Sequence, residues 1–335
     1  MTRVGIGLVG CGLFGESHLR AVRGIPNAEV RAVFDTDRDR AERIAAEFQV
    51  PRVCGDLDEL CGLPDVDLVD VVTPESGHAA PVLSALARGK HAFVEKPMAT
   101  DLADCARMIE AARAAGRILM VGHILRFEAK YAMLKEEVAS GRLGDVVSMH
   151  SRRNRPKEAL PLYGRVHPML ETGIHDLDMM LWYADRPVRR ARGFARSVTG
   201  SKHPDTFWGV LEFEGGAIGV IETIWLLPSA GGVALDDAFR VVGSRGIGDL
   251  RLTPGALSFW REDGHEIPDV SYEPRVLGAT RGALRDELSY LCDCVVAGRT
   301  PEVNSGIEGS RAVRVALALI ESAATGADVV IEDWA

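Results

Sequence analysis

From residue 4 to about residue 122, short β-branched apolar runs alternate with stretches whose apolar positions recur every three or four residues. Such alternation is the pattern of a parallel sheet covered by helices. The runs fall at Val4–Val9, Ala28–Phe34, Leu68–Val72, His91–Glu95 and Ile118–Val121. Between them, "DRDRAERIAAEFQ" and "DLADCARMIEAARAAG" read as helices, the second closing at Gly116, where a left-handed cap is expected. The pattern predicts one doubly wound domain over residues 1–122.

Beyond residue 122 the texture changes. "RFEAKYAMLKEEVASG" predicts a long amphipathic helix, after which strand-like segments dominate, at 146–153, 189–198, 238–243, 248–252 and 256–261. In "FWGVLEFEGGAIGVIETIWLL" two apolar runs flank Gly215 and Gly216, a two-residue hairpin turn that can supply positive φ at both centres. Helices are expected near 280–297 and 308–325. Residues 123–335 therefore read as an α+β domain with a mostly antiparallel sheet, and the chain as a whole as α/β.

Composition narrows the function. A chain of 335 residues, 47% hydrophobic and 26% charged, has material for two cores. Its formal net charge of −9 disfavours nucleic acid and anionic membrane as partners, since both need a basic face. No apolar run reaches the roughly 18 residues of a membrane span, and the apolar start is too short for a signal peptide. Six scattered cysteines lack the spacing of a disulfide scaffold, so a reducing, cytoplasmic setting is expected. Cys292 and Cys294 diverge on a predicted helix and make a poor metal pair. Small-molecule chemistry is what remains.

"LVGCGLFGESH" places Gly10, Gly12 and Gly15 in G-x-G-x-x-G order between a predicted strand and a predicted helix. Glycine lets the backbone turn tightly and approach a pyrophosphate, whose charge then lies at the helix N-terminus. Asp35 ends the next strand 20 residues after Gly15, where an acid can accept the ribose hydroxyls of an adenosine. It would repel a 2′-phosphate, which favours NAD over NADP, although Arg38 and Arg40 follow closely and weaken that preference. Thr73 and Pro74, in "VVTPESGHAAP", end another strand on the edge where open α/β sheets bind ligands. "FVEKPMA" delivers Lys96 to the same edge, and Pro97 biases its backbone toward an extended form.

Taken in order, "GLVGCGLFGESHL", "VTPESGHAAPVLSALARGKHAFVEKPMA", "GHILRF", "GIHDLDMMLWY" and "GRTPEVNSGIEGSRAVRVALALIESAATG" resemble the glucose-fructose oxidoreductase and inositol dehydrogenase (Gfo/Idh/MocA) family. The resemblance runs essentially the whole chain. It implies a Rossmann domain followed by a domain with a large open sheet, through which similar proteins pair as homodimers or homotetramers. It implies cofactor contacts at Gly10, Cys11, Gly12, Leu13, Phe14 and Gly15, and further ones at Asp35, Thr73, Pro74, His78, Glu95 and Lys96. The family's catalytic Lys, Asp and His map to Lys96, Glu171 and His175, with Glu in place of Asp. That exchange keeps the charge and adds one methylene, which preserves an orienting role better than a measured contact to substrate.

The implied reaction is NAD-dependent oxidation of a secondary ring hydroxyl on a sugar, an inositol-like polyol or a sugar derivative. As the carbinol oxygen becomes alkoxide-like, a cation and a base are needed within about 3 Å of it. Lys96 suits the first role and His175, by its near-neutral pKa, the second. In "LETGIHDLDMML" Glu171 lies four residues before His175 and is expected to orient it from the same helical face, while Ile174, Leu177 and Leu181 pack behind. A metal held by Glu171, His175 and Asp178 lacks a second histidine at a suitable spacing, and none is expected. Arg152, Arg153, Arg155, Lys157 and Arg165 form a basic stretch that reads either as a solvated loop or subunit contact, or as a cradle for an anionic substrate read by Arg153 and Asn154. Arg126 is a further candidate substrate contact, and Trp225 a pocket wall. Two rival readings are an NAD-dependent glycosidase with transient redox activation and a non-catalytic dinucleotide sensor.

Overall fold

The computed structural model describes residues 3–228, 235–252, 257–261 and 264–332. The chain divides into two compact units, residues 1–127 with 270–310, and residues 128–269 with 311–335.

In the first unit five parallel strands, β1 (Val4–Val9), β2 (Ala28–Phe34), β3 (Leu68–Val71), β4 (His91–Glu95) and β5 (Leu119–Gly122), lie in the order β2-β1-β3-β4-β5. Helices α1 (Leu13–Val22), α2 (Arg38–Phe48), α3 (Leu57–Gly62), α4 (Ala79–Ala87) and α5 (Leu102–Ala115) connect them. β1, β3 and β5 are buried at every position, which is why they read as unbroken apolar runs. Asp37, Asp56 and Asp101 each accept an amide hydrogen at the start of a helix, and α5 ends at Gly116 with φ +60°. The strand order reverses beside β1, the point at which such sheets bind ligands beyond their carboxyl ends.

Residues 270–310 return to this unit, a segment that the sequence reading places with the second domain. The reason is apolar packing. Leu284, Leu288, Leu291 and Cys292 join Val4, Ile6, Leu68, Phe93 and Met120 in one core cluster. A buried asparagine then ties the segment to β5. Asn304 O accepts Val121 N–H at 2.8 Å, and Asn304 Nδ2 donates to Glu287 Oε1 at 2.8 Å and to His123 O at 3.1 Å.

The second unit is built on seven strands, six of them β6 (Val146–Asn154), β7 (Val188–Arg196), β8 (Thr206–Phe213), β9 (Ile218–Ile224), β10 (Asp236–Gly243) and β11 (Ile247–Arg251). Their order is β11-β10-β6-β9-β8-β7, with a short edge strand at Val329–Val330, and every pairing except β6 with β9 is antiparallel. Helices α6 (Ala129–Ala139), α7 (Leu160–Tyr163) and α8 (Ile174–Ala184) belong here, while α9 (Ala283–Ala297) lies in the first unit. The first residues of α10 (Gly306–Thr325) fall in the first unit and the rest in the second. Gly215 and Gly216 both have φ +88°, but Glu212 pairs with Ile218, so the hairpin loop has three residues rather than two. Glu214 fills the extra position, donating its N–H to Pro187 O at 2.8 Å. Of the strand expected at 256–261, Phe259–Arg261 is present and residue 256 lies outside the described residues.

Candidate active site

In the first unit the turn from β1 to α1 needs glycine at two positions for steric reasons. Gly10 has φ +105°, and a Cβ on it would lie 2.7 Å from Val72 O. A Cβ on Gly15 would lie 2.2 Å from Gly10 O. Gly12, the N-cap of α1, is different: a Cβ there would meet nothing within 4 Å, and no side chain caps the helix. The first-turn amides are thus left for an anion, beside exposed Leu13 and Phe14. This open cradle fits a dinucleotide pyrophosphate.

Asp35 braces the same turn. Its Oδ2 accepts Cys11 N–H and its Oδ1 accepts Asp37 N–H, each at 2.8 Å, while Arg40 Nη1 lies 3.4 Å from both oxygens. Arg38 turns away and pairs with Glu42 at 2.8 Å. Cys11 is a correction to the expected cofactor contacts: it is buried, and burial, then Asp35, pushes its thiol up to about 12. It packs under the turn rather than lining the cradle.

At the neighbouring strand ends Thr73 Oγ1 is buried with no hydrogen-bond partner among the described residues, and Pro74 is exposed. An orphaned hydroxyl beside the cradle is consistent with a cofactor contact. His78 is also corrected. It is buried, with Nδ1 2.9 Å from Pro97 O and Nε2 2.9 Å from Thr73 O, so it staples the two strand-end loops together. Burial holds its ring below the usual histidine range against the pull of those carbonyls, and a neutral ring donates to one of them at a time.

Glu95 is the third correction, because its carboxylate is engaged internally. Oε2 accepts the backbone N–H of Lys96 at 3.0 Å, and Oε1 lies 3.3 Å from His18 Nε2. His18 Nδ1 is in turn 2.9 Å from Asp70 Oδ2. Burial of His18 disfavours its charged form, but Asp70 and then Glu95 outweigh burial and raise its pKa to about 10. The result is a buried imidazolium between two carboxylates, one of which holds the main chain at Lys96. Lys96 itself is half-buried, just before a cis peptide bond to Pro97. The sequence reading missed His18 and Asp70. An acid inside "LVDVV", a strand buried along its whole length, was the available signal.

In the second unit the segment carrying Glu171 is not a plain α-helix. Met169–Gly173 forms a π turn that leads into α8. A Cβ on Gly173 would lie 2.6 Å from Met169 Sδ, so glycine permits the tight contact there. The wider i→i+5 turn offsets the side chains on either side of it, so a four-residue spacing no longer guarantees a shared face. Every residue from Pro168 to Met180 is buried except His175, which is half-buried. Glu171 is 7% exposed. Ile174 and Leu177 are fully buried as expected, Leu181 only partly, and Asp176 and Asp178 are buried rather than facing a substrate.

The basic stretch splits by sheet register. Arg153 on β6 stands opposite Asp237 on β10 and is 1% exposed. Its Nε and Nη2 donate to the two oxygens of Asp176 at 2.8 and 3.0 Å, its Nη1 to Asp237 Oδ2 at 2.8 Å, and its Nη2 to Tyr131 OH at 3.0 Å. Arg155 adds a contact to Asp237 at 2.6 Å, and Arg152 pairs with Asp236 at 2.8 Å. Asn154 is buried as well, donating to Glu222 at 2.7 Å and accepting Ile224 N–H at 2.9 Å. Arg153 and Asn154 therefore hold the sheet instead of reading a substrate. Arg126 is corrected on the same ground, since its side chain is 2% exposed and paired with Glu308.

Comparison with known proteins agrees with this geometry over most of the chain. Residues 4–123 match the model of an oxidoreductase family with an NAD-binding Rossmann fold, and residues 131–249 match the GFO/IDH/MocA C-terminal domain. Inositol 2-dehydrogenase 2 of Saccharopolyspora erythraea is 32% identical over 338 residues, covering 98% of this chain and 95% of its own. This chain belongs to the Gfo/Idh/MocA oxidoreductase family. Inositol 2-dehydrogenase of Acidothermus cellulolyticus is 38% identical over 205 residues, spanning 60% of each chain. Among solved structures, a probable dehydrogenase from Thermotoga maritima superposes with a TM-score of 0.84 at 27% identity, covering 98% of both chains. Scyllo-inositol dehydrogenase from Lactobacillus casei, solved with NAD(H) and scyllo-inositol, gives 0.85 at 19% identity over 98% of this chain and 99% of its own, a likeness of fold. The family is NAD-binding, in line with the cradle at Gly12 and the acid at Asp35.

Proposed function

We propose that this chain is an NAD-dependent dehydrogenase that oxidises a secondary ring hydroxyl of an inositol-like cyclic polyol or a related sugar. The observation that carries the reading is His175, the one titratable side chain left accessible in a segment otherwise buried from Pro168 to Met180. The names of the relatives support the substrate class. NAD, when bound, supplies the hydride acceptor. His175 takes the hydroxyl proton, and the Lys96 ammonium stabilises the negative charge that grows on the same oxygen. Glu171 takes the orienting role rather than that of a second base, a reading supported by its burial at the π turn before α8.

A homodimer or homotetramer through the larger sheet belongs to the same proposal. Phe194 and Trp208, paired across β7 and β8, are exposed together with Val210 and Ile218.

The test is NADH absorbance over a panel of inositols, aldoses and sugar acids. Net NADH is expected with at least one cyclic polyol, whereas an elimination chemistry with transient oxidation would give none. His175→Ala should lower turnover by about a hundredfold or more while NAD affinity is kept. Near-normal turnover in that variant would remove His175 from the mechanism.

A further inference from the structure

Beyond Arg152, Arg153 and Arg155, whose carboxylate partners are Asp236, Asp176 and Asp237, the basic stretch continues with Lys157 and with Arg165, whose Nη1 donates to Leu162 O at 2.7 Å. Lys157 and Arg165 line a cavity of about 570 Å³, and Lys202 and His203 line it from the loop before β8. All three long cationic side chains are exposed, and no lining residue is acidic, in a chain whose net charge is −9. The acid nearest in that loop, Asp205, is occupied by Val198 N–H, Thr199 N–H and the Thr199 hydroxyl at 2.8, 2.8 and 2.9 Å. His203 lines the cavity as well, its ring hydrogen-bonded to the backbone of Arg165 and its pKa held below the usual histidine range by burial and then by Lys202.

The cavity borders the start of the candidate catalytic segment of its own unit. Pro168, the residue before the π turn, lines it, and so does Trp225. Trp225 is buried as a floor, with its Nε1–H directed at Thr172 Oγ1, 3.4 Å away, next to Glu171. Exposed Tyr163 flanks it, ring centroid 6.3 Å from that of Trp225. We propose that this cavity is a subsite for a carboxylate or phosphate carried by the ring substrate, held by Lys157, Arg165 and Lys202. The inference rests on the polyol-oxidising reading and narrows it from neutral cyclitols to acidic sugar or cyclitol derivatives. Charge-assisted bonds to a multiply cationic, partly enclosed site discriminate an anion from a hydroxyl by at least tenfold.

NAD-saturated full-length protein is titrated calorimetrically with D-glucuronate, D-glucose 6-phosphate and myo-inositol, and the same compounds are assayed by NADH absorbance. Wild type is compared with Arg165→Gln and with the Lys157→Gln/Lys202→Gln double variant, NAD affinity serving as the control for folding. For whichever anion fits, kcat/KM should exceed that for myo-inositol by about tenfold or more at low salt. That ratio should fall about tenfold in either variant and shrink at about 0.5 M salt. The better of the two anions separates a carboxylate site from a phosphate site. Turnover of myo-inositol with no anion preference, or a preference that survives both variants, overturns the subsite and leaves the dehydrogenase reading standing. Charge-dependent binding of an anion without NADH from any compound supports the subsite and overturns the dehydrogenase reading.

Discussion

Each unit buries a cation between two carboxylates, and the two cations differ in kind. In the first, His18 sits between Asp70 and Glu95; in the second, Arg153 sits between Asp176 and Asp237. In both, one carboxylate is the sequence neighbour of a proposed catalytic residue, Glu95 before Lys96 and Asp176 after His175. A side chain anchored on a buried charge fixes the main chain beside it, so each reactive group stands next to an immobile point of its own unit. The difference lies in the proton. Arginine stays charged at any pH a protein meets, whereas an imidazolium persists only while its carboxylates keep its pKa high.

The largest expected effect comes from removing the cation that cannot titrate. Arg153→Met should cost about 3–5 kcal/mol of stability, because buried Asp176 loses its arginine and buried Asp237 keeps only Arg155. Burial pushes Asp176 up despite Arg153, so one carboxyl can relieve the strain by protonating; at Asp237 burial is outweighed by Arg153 and Arg155, which hold it below the usual range. Hydrogen exchange should localise the loss to β6 and β10. Protection there equal to wild type would mean that the sheet does not depend on this centre.

His18→Gln should cost less, about 2–4 kcal/mol near pH 6, and its cost should depend on pH. The folded pKa of about 10 lies above the ordinary 6.5, so the stabilisation is complete below about pH 6.5 and is lost as pH rises toward 10. Chemical denaturation of wild type and variant across that range should show their difference shrinking, whereas the Arg153→Met difference should not shrink, because protonation of Asp176 relieves that variant less as pH rises. If both differences are flat, His18 is not charged in the fold and the comparison between the centres fails. His167 in the second unit behaves in the opposite sense. Burial, then His203, lowers its pKa to about 4, so its contribution is present above about pH 6.5 and lost toward pH 4.

Much of the first unit was legible because its constraints are local. Gly10, Gly15 and Gly116 are glycine for backbone reasons that leave a mark in spacing alone, and strands buried on both faces read as continuous apolar runs. The return of residues 270–310 was not legible, since Leu284, Leu288 and Leu291 form an apolar stripe that fits any sheet, and nothing local says which one it covers. The basic stretch shows the same limit. Arg153 and Lys157 are four letters apart and equally cationic, yet register opposite Asp237 buries the first while the second lines a cavity. The four-residue spacing of Glu171 and His175 does not by itself fix a shared face, because a π turn leads into α8, and nothing in the spacing announces that turn.

The smallest effect tests how much redundancy the arginine centre has. Tyr131 OH accepts from Arg153 Nη2 at 3.0 Å, a neutral acceptor beside the two carboxylates that pair with the guanidinium. Tyr131→Phe removes that acceptor and leaves the Nε and Nη2 bonds to Asp176 and the Nη1 bond to Asp237, so the guanidinium keeps its plane. The expected cost is about 1–2 kcal/mol, the range for a hydrogen bond to a charged group. Because Asp176 stays anchored, turnover at His175 should change by less than about threefold. Among the described residues His18 shows no comparable neutral acceptor: its aromatic neighbours Phe14 and Phe93, with ring centroids 5.3 and 5.7 Å away, offer rings and no oxygen. A tenfold loss of turnover in Tyr131→Phe at unchanged NAD affinity would show that anchoring at Asp176 is not redundant, and that the second centre tolerates damage no better than the first.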